Sequence, residues 1–193
     1  MRFFKKSILL LPLLLLVGCG HSINITPPLN YLSKSNIVKI DKNVGYFISK
    51  ENFAKEVSTP GGGGDKVKYF PYREAEPALK KVLSNVFEGV YKLSSEVDIL
   101  SASSKKISYI FTPQFITHSS SSSVFTWPPT LFSITIDCKA VDKDGKITWQ
   151  TKVTGEGEAE FSEFKHDMSL AAKRATKNAF IKLQDEILTS RKF

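Results

Sequence analysis

The chain has 193 residues, of which 41% are hydrophobic and 24% charged, with a formal net charge of +8. This balance excludes collagen-like, mucin-like and wholly disordered chains, and the length suits one domain. A basic excess raises nucleic acid as a partner only for a chain that stays in the cytoplasm.

The first residues indicate that it does not stay there. Arg2, Lys5 and Lys6 precede the apolar run from Ile8 to Val17, which is shorter than the roughly 20 residues a spanning helix needs. Residues 1–18 therefore read as an export signal. Leu16-Val17-Gly18-Cys19 looks like a bacterial lipobox, in which the cysteine becomes lipidated and N-terminal. The alternative, a type I signal peptide, lacks an A-x-A-like site. Three acyl chains on Cys19 would exceed the two-signal threshold for stable anchoring. Gly20, where an Asp would favour the inner membrane, points to the periplasmic face of the outer membrane. Cleavage takes the 27 basic residues to 24 against 19 acidic ones, a scattered net +5. Membrane headgroups and envelope components then replace nucleic acid as expected partners.

Residues 19–36, polar and carrying Pro27-Pro28, read as a tether, and residues 37–193 as a single periplasmic domain. Strands are expected at 43–49, with a shorter one at 37–40, and at 67–70. The glycine run 61–64 between them reads as a flexible loop. Ala75, Leu79, Val82, Leu83, Val86, Val90 and Leu93 form a stripe that predicts a helix over 72–93, with Pro77 in its first turn. Strands follow at 106–117, 131–141 and 147–161, the last two joined by Asp142-Lys143-Asp144-Gly145. A final helix over 168–189, N-capped by Asp167, carries the inner stripe Met168, Ala172, Ala175, Ala179, Leu183 and Ile187. These elements predict an α+β fold: a two-layer sandwich of a mostly antiparallel sheet of four or five strands with two amphipathic helices.

Little in the sequence assembles chemistry. The glycine run lacks the Lys-Ser/Thr ending of a phosphate loop, and Val153 stands where a calcium loop beginning at Asp142 would need Glu. Glu156, Glu158 and Glu160 share one strand face and could hold a cation, although a solvated face explains them too. His21, His118 and His166 show no metal-ligand spacing. Cys138 alternates with Ile134 and Ile136, which predicts a buried core thiol rather than a nucleophile. The segment Phe125-Thr126-Trp127-Pro128-Pro129, after the serines 119–123, reads as a projecting contact loop. Phe125, Trp127, Pro128 and Pro129 are its partner-binding candidates, with Trp127 folding back on the sheet end as the alternative.

Three stretches carry a resemblance: Lys143-Asp-Gly-Lys-Ile-Thr-Trp149, Gly155-Glu-Gly157, and the alanine-rich run from Asp167 to Phe180. On these the chain resembles YajG-like lipoproteins and the auxiliary lipoproteins of ABC-type envelope transport systems. It is also similar to the TolB N-terminal-like fold. The resemblance implies an α+β adaptor on a lipid anchor. The expectation is a non-catalytic lipoprotein accessory of envelope assembly or transport, with an envelope protein partner and no metal or cofactor. The alternative is a lipid- or glycan-binding module using a groove between sheet and helices, and a hydrolase assembled only in space stands third. Homo-oligomerisation stays open.

Overall fold

The computed structural model describes residues 20–33, 38–94, 105–122 and 125–193. The leader expected over 1–18, the expected lipidation residue Cys19 and positions 34–37 lie outside them. In chain order the elements are β1 (Gly20–Ser22), β2 (Ile40–Phe47), α1 (Lys50–Ala54), β3 (Val57–Pro60), β4 (Lys66–Tyr69), α2 (Pro71–Val86), β5 (Phe87–Leu93), β6 (Ile107–Ser120), β7 (Leu131–Val141), β8 (Ile147–Glu158), α3 (Phe161–Phe164) and α4 (Leu170–Thr189). The main sheet runs β5-β2-β6-β7-β8 and a smaller one β1-β4-β3. The fold is α+β, with α2 and α4 packed on the main sheet and on each other. Among the described residues no helix is long and apolar enough to cross a membrane.

The main sheet is mixed. β6, β7 and β8 form an antiparallel meander, whereas β2 takes β5 and β6 in parallel. The parallel pairing of β5 follows from α2, which carries the chain across and returns it beside β2 in the same direction.

The helix predicted over 72–93 stops at Val86, and its last third is β5. Phe87, Val90 and Tyr91 favour the pleated backbone, and Gly89 lets Asn43 of β2 come close: an added Cβ would lie 2.1 Å from Asn43 Oδ1. Leu93, on the expected helical stripe, instead joins Ile107 and Ile110 in a separate small cluster. Pro71 opens α2, and Pro77 lies inside the helix rather than in its first turn. The lost backbone bond costs about 3 kcal/mol. Burial of Ala75, Ala78, Leu79, Val82, Leu83 and Val86 offsets it.

Residues 20–33 belong to the domain, which corrects the tether expected to run to residue 36. β1 pairs in parallel with β4, Gly20 opposite Lys66 and Ser22 opposite Lys68. Ile23, Ile25 and Leu32 are buried, and Asn85 Nδ2 donates to the Leu32 carbonyl at 2.7 Å. Three irregularly spaced apolar side chains give no periodic signal, so the segment looks polar in sequence.

β8 and α4 touch backbone to backbone. An added Cβ at Gly155 would lie 2.2 Å from the Ala175 carbonyl, and one at Gly157 2.1 Å from that of Ala171. Along the edge of β8, Lys182, Asn178 and Arg174 donate to the carbonyls of Thr154, Glu156 and Glu158 at 2.7, 2.8 and 2.7 Å. The match is geometric: four helical residues rise about 6 Å and two strand residues about 6.6 Å. The N-cap of α4 is Ser169 rather than Asp167, and Met168 is exposed rather than part of the inner stripe. The Ser169 hydroxyl accepts from the Asn24 amide at 3.0 Å, while Asp167 pairs with Lys173 at 2.9 Å.

Candidate functional site

The candidate residues gather at one end of the domain, where β1, the β3–β4 hairpin and the loop before β7 meet. The glycine run is the turn of that hairpin, not a flexible loop. Gly61 N–H donates to the Asp65 carbonyl at 2.9 Å, and Gly63 and Gly64 take left-handed φ of 66° and 84°. Gly61 also has no room for a side chain, because a Cβ would sit 2.3 Å from the Trp127 carbonyl. That carbonyl accepts from Gly62 N–H at 2.9 Å.

Trp127 lies over the hairpin end. Its ring stacks on His21 of β1, with centroids 4.2 Å apart and planes 15° from parallel. The other side of His21 meets Asp65, Nε2 to Oδ2 at 3.3 Å. Pro128 and Pro129 are buried. Among the four expected contact residues, Phe125 alone projects, at 94% exposure. The serines do not form a loose arm either. Ser119 and Ser120 end β6, Ser119 Oγ donates to Thr59 Oγ1 at 2.6 Å, and Ser122 N–H donates to Thr130 Oγ1 at 3.0 Å. The sequence signal read as projection, Ser-rich flanks around Trp-Pro-Pro, belongs to a segment folded back on the hairpin. His21 lies in this junction rather than in the tether expected over residues 19–36.

A shallow groove of about 430 Å³ crosses β6, β7 and β8 beside this end. Its rows follow the strand register: His118–Ser133–Glu156 and Ser120–Leu131–Glu158. Serine stands between histidine and carboxylate, so the order needed for a hydrolytic relay, with histidine in the middle, is not made. A second groove, about 390 Å³, shares Leu131 and Glu158 and is lined also by Thr126, Phe161 and Phe164. The three carboxylates do not converge. Glu160 caps α3 by accepting from the Glu163 amide. Among the described residues no group of three metal-ligating side chains forms.

Helix and sheet close on each other at Gly155 and Gly157, and both grooves lie at the strand ends. Along β8 and α4, backbone contact leaves no room for the expected groove between sheet and helices. Cys138 is fully buried, and burial, with Asp137 adding, pushes its thiol up to about 12. A thiol so placed is protonated and shielded, as a core residue should be.

No family model matches the chain, and no curated protein matches it in sequence. Among solved structures it is similar to protein XCC0632 from Xanthomonas campestris, of the family model DUF330. There the TM-score is 0.51 at 10% identity, over 90% of this chain and 95% of that one. The PelC dodecamer from Paraburkholderia phytofirmans overlaps at a TM-score of 0.39 and 14% identity, over 74% of this chain and 90% of that one. A Caulobacter crescentus protein described as a candidate lipoprotein overlaps at 0.36 and 12%, over 61% and 80%. The last two overlaps are too slight to carry a shared fold. The first shows that nearly the whole chain adopts an architecture already seen in a bacterial protein.

Proposed function

We propose that the chain is an exported lipoprotein, acylated on Cys19 and held at the periplasmic face of the outer membrane, that works by binding rather than catalysis. The observation that carries the reading is the Leu16-Val17-Gly18-Cys19 pattern, which closes a basic start and an apolar run too short to span a bilayer. The non-catalytic part is supported by the order of His118, Ser133 and Glu156, which places the carboxylate beside the serine and gives the histidine none to orient it in that row. Its role is then that of an accessory to an envelope protein. The test is metabolic labelling with an alkyne fatty acid. The native chain takes up label and fractionates with membranes, whereas Cys19→Ser does neither. Label retained in Cys19→Ser overturns the proposal.

A second reading, binding of a glycan, draws support from the paired grooves. They combine hydroxyls of Ser120, Ser133 and Thr130 with carboxylates and the exposed Phe161, and Thr126 Oγ1 is buried without a hydrogen-bond partner. Titration calorimetry with envelope oligosaccharides decides it. Heat that is lost in Glu156→Gln supports the reading, and no heat with any oligosaccharide sinks it.

A further inference from the structure

We infer that the end of the domain built from β1, the glycine turn and the loop at Phe125 lies directly on the phospholipid bilayer, with Phe125 inserted at the interface. The inference rests on the anchor proposed at Cys19 and says how the domain sits on it. One peptide unit, about 3.8 Å between Cα atoms, separates Cys19 from Gly20. Gly20 is already paired with Lys66, so no slack lets the domain stand off.

The acyl chains would therefore enter the membrane beside His21. The stack of His21 on Trp127 brings the 125–129 loop to the same place, because Phe125 is two residues, at most about 7 Å, from Trp127. Phe125 is 94% exposed, the most exposed large apolar side chain among the described residues. An aromatic ring beside an acyl anchor matches the interfacial preference of such side chains. Lys66 and Lys68 flank β1 and are exposed, which suits anionic headgroups. The opposing charges here are Asp65, held by His21, Glu56, 3.7 Å from Lys68, and Glu158 and Glu160, which line the groove that Thr126 borders. Ile147 sits at the far end of the sheet, paired with Val141, about 30 Å along β7 from Leu131.

The test uses the full lipidated chain in vesicles of phosphatidylethanolamine and phosphatidylglycerol. Phe125→Cys and Ile147→Cys are labelled separately with a polarity-sensitive fluorophore; Cys138 is buried and the Cys19 thiol carries lipid. The expected result is a blue-shifted probe at 125, quenched by spin-labelled lipid at least about threefold more than the probe at 147. Equal quenching at the two sites on an acylated chain overturns the placement and leaves the anchor standing. A probe at 125 that stays aqueous until an envelope protein is added makes the loop a protein contact, and also overturns it. The mass of the N-terminal peptide is read from the same sample. An unmodified Cys19 overturns the anchor, and the placement with it.

Discussion

One carboxylate oxygen of Glu74 accepts from the buried Ile25 amide at 2.9 Å, while its other oxygen accepts from the Phe70 amide at 3.0 Å. A single side chain thus closes the first turn of α2 and holds the N-terminal segment against it. The Glu74 carbonyl adds a third tie by accepting from Thr26 Oγ1 at 2.8 Å. Hydrogen bonds to a charged acceptor contribute more than neutral ones. Glu74→Ala is expected to destabilise the fold by about 2–3 kcal/mol. It should also open residues 20–33 first, read as faster hydrogen exchange at Ile25 than at Val82.

Gly155→Ala is expected to cost about 3 kcal/mol, because the new methyl meets helix backbone rather than a side chain that can turn aside. Gly145→Ala is the control. It has open space and a φ of 77°, so only backbone strain of about 1 kcal/mol should appear. Urea denaturation of both variants separates the two effects.

Trp127→Ala should lower the melting temperature, corresponding to about 1–2 kcal/mol, since it removes the stack on His21 and the cover over the hairpin. Phe125→Ala should leave it unchanged, because that ring is exposed. Thermal unfolding of the pair tests which residue is structural.

Glu163 is held down to about 2 by the hydrogen bonds from Arg174 and then from the Glu160 amide. A carboxylate whose folded value is depressed contributes stability that is complete above its ordinary value of 4.5, and loses it as the pH falls towards about 2. The melting temperature of the native chain should therefore fall more steeply between these limits than that of Glu163→Gln. Added salt should narrow the gap, because the pair is partly exposed.

Cys138 should resist a thiol reagent at pH 8 until the protein unfolds, given a thiol pushed up to about 12 and no exposure. Cys138→Ala should cost about 1 kcal/mol. Rapid labelling of the folded chain would contradict the burial.

The C-terminal half was legible in sequence because its signals are strictly periodic. β7 begins and ends at the expected residues, and Gly155, Gly157 and the alanines of α4 meet as their sizes suggest. The N-terminal half was legible only in part: the strands expected at 43–49 and 67–70 overlap β2 and β4, but α1 and β3 were not expected. Val90 and Leu93 continue a helical spacing by coincidence, and only pairing with β2 makes their segment a strand. At the site, Trp127 takes the fold-back that stood as the alternative to projection. Nothing local in Trp127-Pro128-Pro129 announces that His21, 106 positions earlier, supplies the ring that Trp127 covers.

The row of Arg174, Asn178 and Lys182 along β8 also bears on solubility. A bare strand edge is a template for other chains, and here its carbonyls are taken by side chains of an element that follows it in sequence. A chain folding from its N-terminus would form the β7–β8 hairpin with that edge open, and α4 would close it last. A species cut short before Leu170 would keep three strong acceptors on display beside a run of β-forming residues. It should stack into fibrils more readily than the chain that carries α4, read by thioflavin fluorescence.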